Sequence, residues 1–128
     1  MPRYTRFGVV LALVVAAAVL LPRIVSSREG VRDVTVVVRH MTYYLEGSDA
    51  PNPALRFTAG EQVRLTLRNE DTGMMHDFNI PSWNVATKVL DGKGQDSVTF
   101  RVPAGSSQPI SYTCTPHSAM MNGSIVVE

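Results

Sequence analysis

Within eight residues near the carboxyl end stand the single cysteine, Cys114, one of three histidines, His117, and the methionines Met120 and Met121. Thiolate and thioether are soft ligands that favour Cu(I), and imidazole suits both oxidation states of copper. Two histidines and a cysteine in a trigonal set, with a weak axial methionine, make a blue-copper electron-transfer centre. The loop supplies one histidine, so the second must be His40 or His76. His76 follows the turn Asp71-Thr72-Gly73-Met74-Met75 and enters a strand-like run, from which a side chain can reach a neighbouring loop at a sheet's end. His40 follows the apolar residues 34–38 inside what reads as a continuing strand, so it is taken as structural or exposed and His76 as the ligand.

Such ligands need a stiff scaffold, and residues 33–128 read as strands. Residues 34–38 are β-branched, 41–45 aromatic and alternating, and 47–53 a turn rich in Gly, Ser, Asp, Asn and Pro. Residues 55–58, 63–68 and 97–102 alternate apolar with polar at period two, the mark of a strand with one face on a core. Residues 81–95 are looser and hold Trp83 and the turn Asp91-Gly92-Lys93-Gly94; residues 109–113 lead into Cys114, and 124–127 close the chain. Seven or eight short strands without an amphipathic helix argue for an antiparallel β-sandwich. Tyr43, Tyr44 and Trp83 read as packing residues.

At 128 residues the chain has room for one domain plus an appendage. Arg3 and Arg6 precede an uncharged run, residues 7–21, rich in Val, Ala and Leu, and Pro22 and Arg23 end it. Residues 1–27 therefore read as a signal peptide or amino-terminal anchor, and 28–128 as the folded domain. The run is short against the ~20 residues of a spanning helix. If Arg23 snorkels, residues 7–25 can stay in the membrane as an anchor; otherwise cleavage follows Ser27. Either form places the domain outside the cytoplasm, in a periplasm or at a cell surface. From Arg28 onward nine basic residues meet eleven acidic ones, which argues against nucleic-acid binding. A lone cysteine in an oxidising compartment oxidises unless it is buried or metal-bound, and its solitude excludes a dinuclear copper site built on two cysteines.

At these residues the chain resembles the cupredoxin family, small type 1 copper proteins of the plastocyanin, amicyanin, pseudoazurin and azurin kind. Cys114-Thr115-Pro116-His117 is similar to the plastocyanin and amicyanin ligand loop, and His117-Ser118-Ala119-Met120-Met121-Asn122-Gly123 to the azurin segment whose axial methionine stands two residues before a glycine. The resemblance implies a Greek-key sandwich, one type 1 copper bound by His76, Cys114, His117 and Met121, and single-electron transport between redox partner proteins. A shorter, amicyanin-like spacing puts Met120 in place of Met121. Many family members carry Asn after the first histidine, where this chain has Asp77, whose carboxylate either accepts a bond from Thr115 or stays solvated. A monomer that is not an enzyme is expected. His117 is expected nearest the surface, with Pro116, Ala119 and Met120 as an apolar contact patch. Holding Cu(I) for delivery to another protein is the alternative reading of the same soft ligands.

Overall fold

The computed structural model describes residues 30–105 and 108–128. The leader read over residues 1–27, with its anchor at 7–25, lies outside the described residues. Among the described residues no helix is long and apolar enough to cross a membrane.

Two sheets enclose the core. In the first, β1 (Arg32–Arg39), β2 (Thr42–Leu45), β4 (Gln62–Asn69) and β9 (Gly94–Arg101) lie in the order β2-β1-β4-β9. In the second, β3 (Leu55–Phe57), β6 (Asn79–Ile80), β7 (Val85–Ala86), β10 (Ile110–Thr113) and β11 (Asn122–Val127) lie in the order β3-β11-β10-β6-β7. A short ribbon of β5 (Met75–His76) and β8 (Leu90–Asp91) stands apart from both. Among the described residues the one helical turn is 3-10, at Pro81–Trp83.

The alternation in β4 does what its period requires: Val63, Leu65 and Leu67 are buried while Arg64 is exposed. Val34, Val36 and Val38 of β1 face the same core. Val37, which points the other way, is nevertheless buried, because β1 runs between β2 and β4. Across the sandwich these side chains meet Leu55, Phe57, Ile80, Ile110 and Ile125. Tyr43, Phe78 and Tyr112 form an aromatic cluster at one end, with Phe78 stacked on Tyr112 at 5.0 Å and Tyr43 edge-on to both. Such pairs each add ~0.5–1.5 kcal/mol beyond the area they bury.

Purely antiparallel pairing, expected from the sequence, does not hold. β1 runs parallel to β4, with Val34 opposite Leu65, and β11 runs parallel to β3, with Ile125 opposite Leu55, so both main sheets are mixed. Period-two alternation says which face of a strand is buried but not which way its neighbour runs. The sandwich itself is as expected.

His40 is also placed differently. It does not continue a strand: His40 and Met41 are the two residues of the tight turn between β1 and β2, with φ of 51° and 56°. Two-residue hairpin turns need this left-handed backbone, and Asn-Gly is its usual sequence signal. His-Met gives no such signal, so the turn is invisible in the sequence.

Candidate metal centre

The centre is built where the core opens at one end of the sandwich. β10 delivers Cys114, and the chain then folds back on itself before β11. Within this loop the His117 N–H donates to the Cys114 carbonyl at 3.2 Å and the Met121 N–H to the His117 carbonyl at 2.9 Å. Its base is closed by the Cys114 N–H donating to the Met121 carbonyl at 2.9 Å, with the Thr113 hydroxyl donating to the same oxygen at 3.2 Å. This places Met121 across from Cys114 and fully buried, while Met120, one residue earlier, is 60% exposed.

His76 arrives from the other side, on the β5 ribbon. Its Nδ1 and the Nδ1 of His117 each lie 3.7 Å from Cys114 Sγ, and the donor atoms of His76, Cys114 and His117 all fall within 4.8 Å of one another. Metal–sulfur and metal–nitrogen bonds of ~2.3 and ~2.0 Å opening at the ~120° of a trigonal site separate the two donors by ~3.7 Å. Both sulfur–nitrogen spacings are therefore those of donors bound to one ion. One soft sulfur and two imidazoles suit copper. His76 and Cys114 are fully buried and His117 is half-buried, so the centre is shut on the ribbon side and closest to solvent at His117.

The electrostatics suit a bound cation. Burial pushes the Cys114 thiol up, while hydrogen bonding from the backbone of Asp77 and His117 acts the other way. Those donors are in place for a thiolate, the form a coordinating metal enforces. Burial also holds the His76 imidazole below its ordinary pKa, against the raising influence of Asp71. A neutral ring with a free nitrogen is what a metal needs.

Asp77 answers the question its sequence position raised. Its carboxylate, almost fully buried, accepts the Thr115 N–H at 2.6 Å, so it braces the ligand loop where Asn stands in many family members. Asn79 reinforces the same point by donating to the Thr115 hydroxyl at 3.3 Å. Two neighbours escaped sequence reading. Tyr43 is more than packing: its hydroxyl donates to the Asp77 carbonyl, and its ionisation is pushed up first by burial and then by the adjacent Cys114. Asp71 bonds the far nitrogen of His76. A carboxylate five residues before a candidate ligand histidine in one turn was the available signal for Asp71; nothing local marks Tyr43. His40 is exposed, and it is not among the residues whose donor atoms converge.

A family model described as copper binding proteins of the plastocyanin/azurin family matches residues 63–128. Among solved structures, a histidine-to-methionine variant of rusticyanin aligns with a TM-score of 0.56 at 25% identity, covering 75% of this chain and 76% of that one. Rusticyanin from Thiobacillus ferrooxidans aligns with a TM-score of 0.54 at 23% identity over 75% of this chain and 76% of its own. The reduced Cu(I) form of an amicyanin variant aligns with a TM-score of 0.51 at 25% identity, over 80% of this chain and 87% of its own. No curated protein matches in sequence.

Proposed function

Because the chain belongs to the plastocyanin/azurin family of copper-binding proteins, we propose that it carries single electrons between redox partner proteins outside the cytoplasm, with His76, Cys114, His117 and Met121 holding one type 1 copper. The observation that carries this reading is the convergence of His76 Nδ1, His117 Nδ1 and Cys114 Sγ at 3.7 Å spacings. Met121 rather than Met120 would supply the fourth, weak ligand, since it is buried and its carbonyl is bonded by the Cys114 N–H, whereas Met120 faces solvent. Copper, when bound, supplies a one-electron couple.

The protein's own contribution is to hold the donors still and to shape access. Cys114 and Met121 are joined through the loop's base, His76 is fixed by the ribbon and by Asp71, and Asp77 ties the two sides together. Ligands so restrained move little when the charge of the centre changes, and little rearrangement favours fast electron transfer. His117 is the port, because it alone of the three convergent ligands is partly exposed. Exposed Pro116, Ala119 and Met120 around it form the apolar surface a redox partner covers. The export reading of residues 1–27 supports an extracytoplasmic site of action, where a lone cysteine survives by being buried, as Cys114 is.

The test is the visible spectrum of the copper-loaded, oxidised protein and of its Met121→Leu variant. An intense blue Cu(II)–thiolate band that shifts in the variant is expected. Tight Cu(I) binding without such a band overturns the carrier reading in favour of copper delivery, and an identical band in the variant removes Met121 as the axial ligand.

A further inference from the structure

His76 presents Nδ1 to the sulfur, and its Nε2 lies 3.1 Å from Asp71 Oδ2. The His76 side chain is fully buried and that of Asp71 only 13% exposed, so water does not compete freely for this bond. The same carboxylate accepts the His40 N–H at 2.6 Å on Oδ1 and the Met41 N–H at 2.9 Å on Oδ2. Those two residues form the left-handed turn between β1 and β2, a conformation disfavoured by roughly 1–2 kcal/mol for each non-glycine residue. Asp71 is itself held in place: its N–H donates to Asn69 Oδ1 at 3.0 Å, and the buried Asn69 amide donates to the carbonyls of Met74 and Gly92 at 3.0 and 2.7 Å. The end of β4, the β1–β2 turn and the ligand histidine thus converge on one carboxylate.

Resting on the reading of His76 as a copper ligand, we infer that Asp71 is a positioning residue for His76: it fixes the ring with its proton on Nε2 and its bare Nδ1 toward Cys114, and its negative charge lowers the reduction potential of the centre. A carboxylate can only accept, so the bond at Oδ2 requires the proton on Nε2 and leaves Nδ1 with a free lone pair. A partner of this kind orients a metal-bound histidine and raises its basicity. Cu(II) carries one more positive charge than Cu(I), so an anion behind the imidazole favours the oxidised state. Three N–H donors on its two oxygens, from His40, Met41 and His76, favour the charged carboxylate.

The discriminating variant is Asp71→Asn. With its amide oxygen in the place of Oδ2 it keeps the bonds from Met41 and His76; the Nδ2 that replaces Oδ1 meets the His40 N–H donor to donor, so the exposed turn shifts to admit water there, and at His76 the change removes chiefly the charge. We expect the copper-loaded variant to stay blue while Cu(II) is weakened against Cu(I) by about tenfold, a rise of ~59 mV for one electron, read by voltammetry. In the reduced wild-type protein, NMR should find the His76 Nε2 proton protected from exchange. A folded, blue Asp71→Asn protein with an unmoved potential overturns the inference. If the variant does not fold, the wild-type spectrum decides: an Nε2 proton exchanging as freely as the ring protons of exposed His40 overturns it equally. A wild type with no blue band removes the ligand reading itself, which separates failure of the premise from failure of the inference.

Discussion

The Asp77 carboxylate offers a clean test of how the ligand loop is braced, because the backbone of this residue has separate tasks. Its backbone bonds toward the Cys114 sulfur and accepts the Tyr43 hydroxyl at its carbonyl, so Asp77→Ala leaves both and removes the carboxylate, with its bond to the Thr115 N–H at 2.6 Å and its charge. A hydrogen bond to a charged group contributes ~1.5–3 kcal/mol. Thr115 is exposed, so water can partly satisfy the freed N–H, and the lower half of that range applies. Asp77→Ala should therefore destabilise the metal-free protein by about 2 kcal/mol, which for a domain of this size lowers Tm by roughly 8–16 °C. Asp77→Asn keeps an acceptor for Thr115 and should lose about 1 kcal/mol or less. Urea unfolding followed by the fluorescence of Trp83, the sole tryptophan, which packs on Phe57 and Phe100, measures both. An Ala variant within ~0.5 kcal/mol of wild type refutes the brace, that being the spread of inconsequential surface changes. An Asn variant as unstable as Ala also refutes it, by locating the effect in the charge.

Three other outcomes follow from the same geometry. A Cβ on Gly123 would overlap Cζ, Oη and Cε1 of Tyr112. That ring cannot yield, being stacked on Phe78 and bonded through its hydroxyl to the Pro53 carbonyl at 2.6 Å. Gly123→Ala should cost about 1–3 kcal/mol in thermal unfolding, and an unchanged Tm contradicts this packing. In the metal-free protein His76 resists protonation by burial, so stability is complete above the unfolded histidine pKa of ~6.5 and falls as pH drops below it. The depressed Asp71 carboxyl adds stability that is present above ~3.9 and is lost as pH falls through its lower folded value. Urea unfolding of metal-free His76→Gln should lose the first of these slopes; retention of the full slope assigns it elsewhere. Met120→Lys should slow electron exchange with a partner by about tenfold, equivalent to ~1.4 kcal/mol of contact energy, with the blue band intact. An unaffected rate excludes Met120 from the contact surface.

The sequence alone determined the donor chemistry. A single cysteine, a histidine three residues on and a pair of methionines behind it are local features, and a loop between two strands keeps them together wherever it sits. The period of β4 and β9 likewise told which face is buried, because side-chain alternation is a property of one strand. What tertiary structure decided are relations between distant segments. Strand direction in β1–β4 and β3–β11 depends on which strands meet, and alternation is the same in either direction. Met120 and Met121 were not separable by register, since the azurin-like and amicyanin-like spacings each favour one of them; the fold decides, closing the loop with the bond from the Cys114 N–H to the Met121 carbonyl and leaving Met121 buried and Met120 exposed. The left-handed His40–Met41 turn has no sequence signature because its stabilising partner, Asp71, lies thirty residues away on another strand's end. That carboxylate, bonded at once to the turn and to His76, belongs to no motif; folding assembles it, because only packing of β1 against β4 brings its three donors to one point.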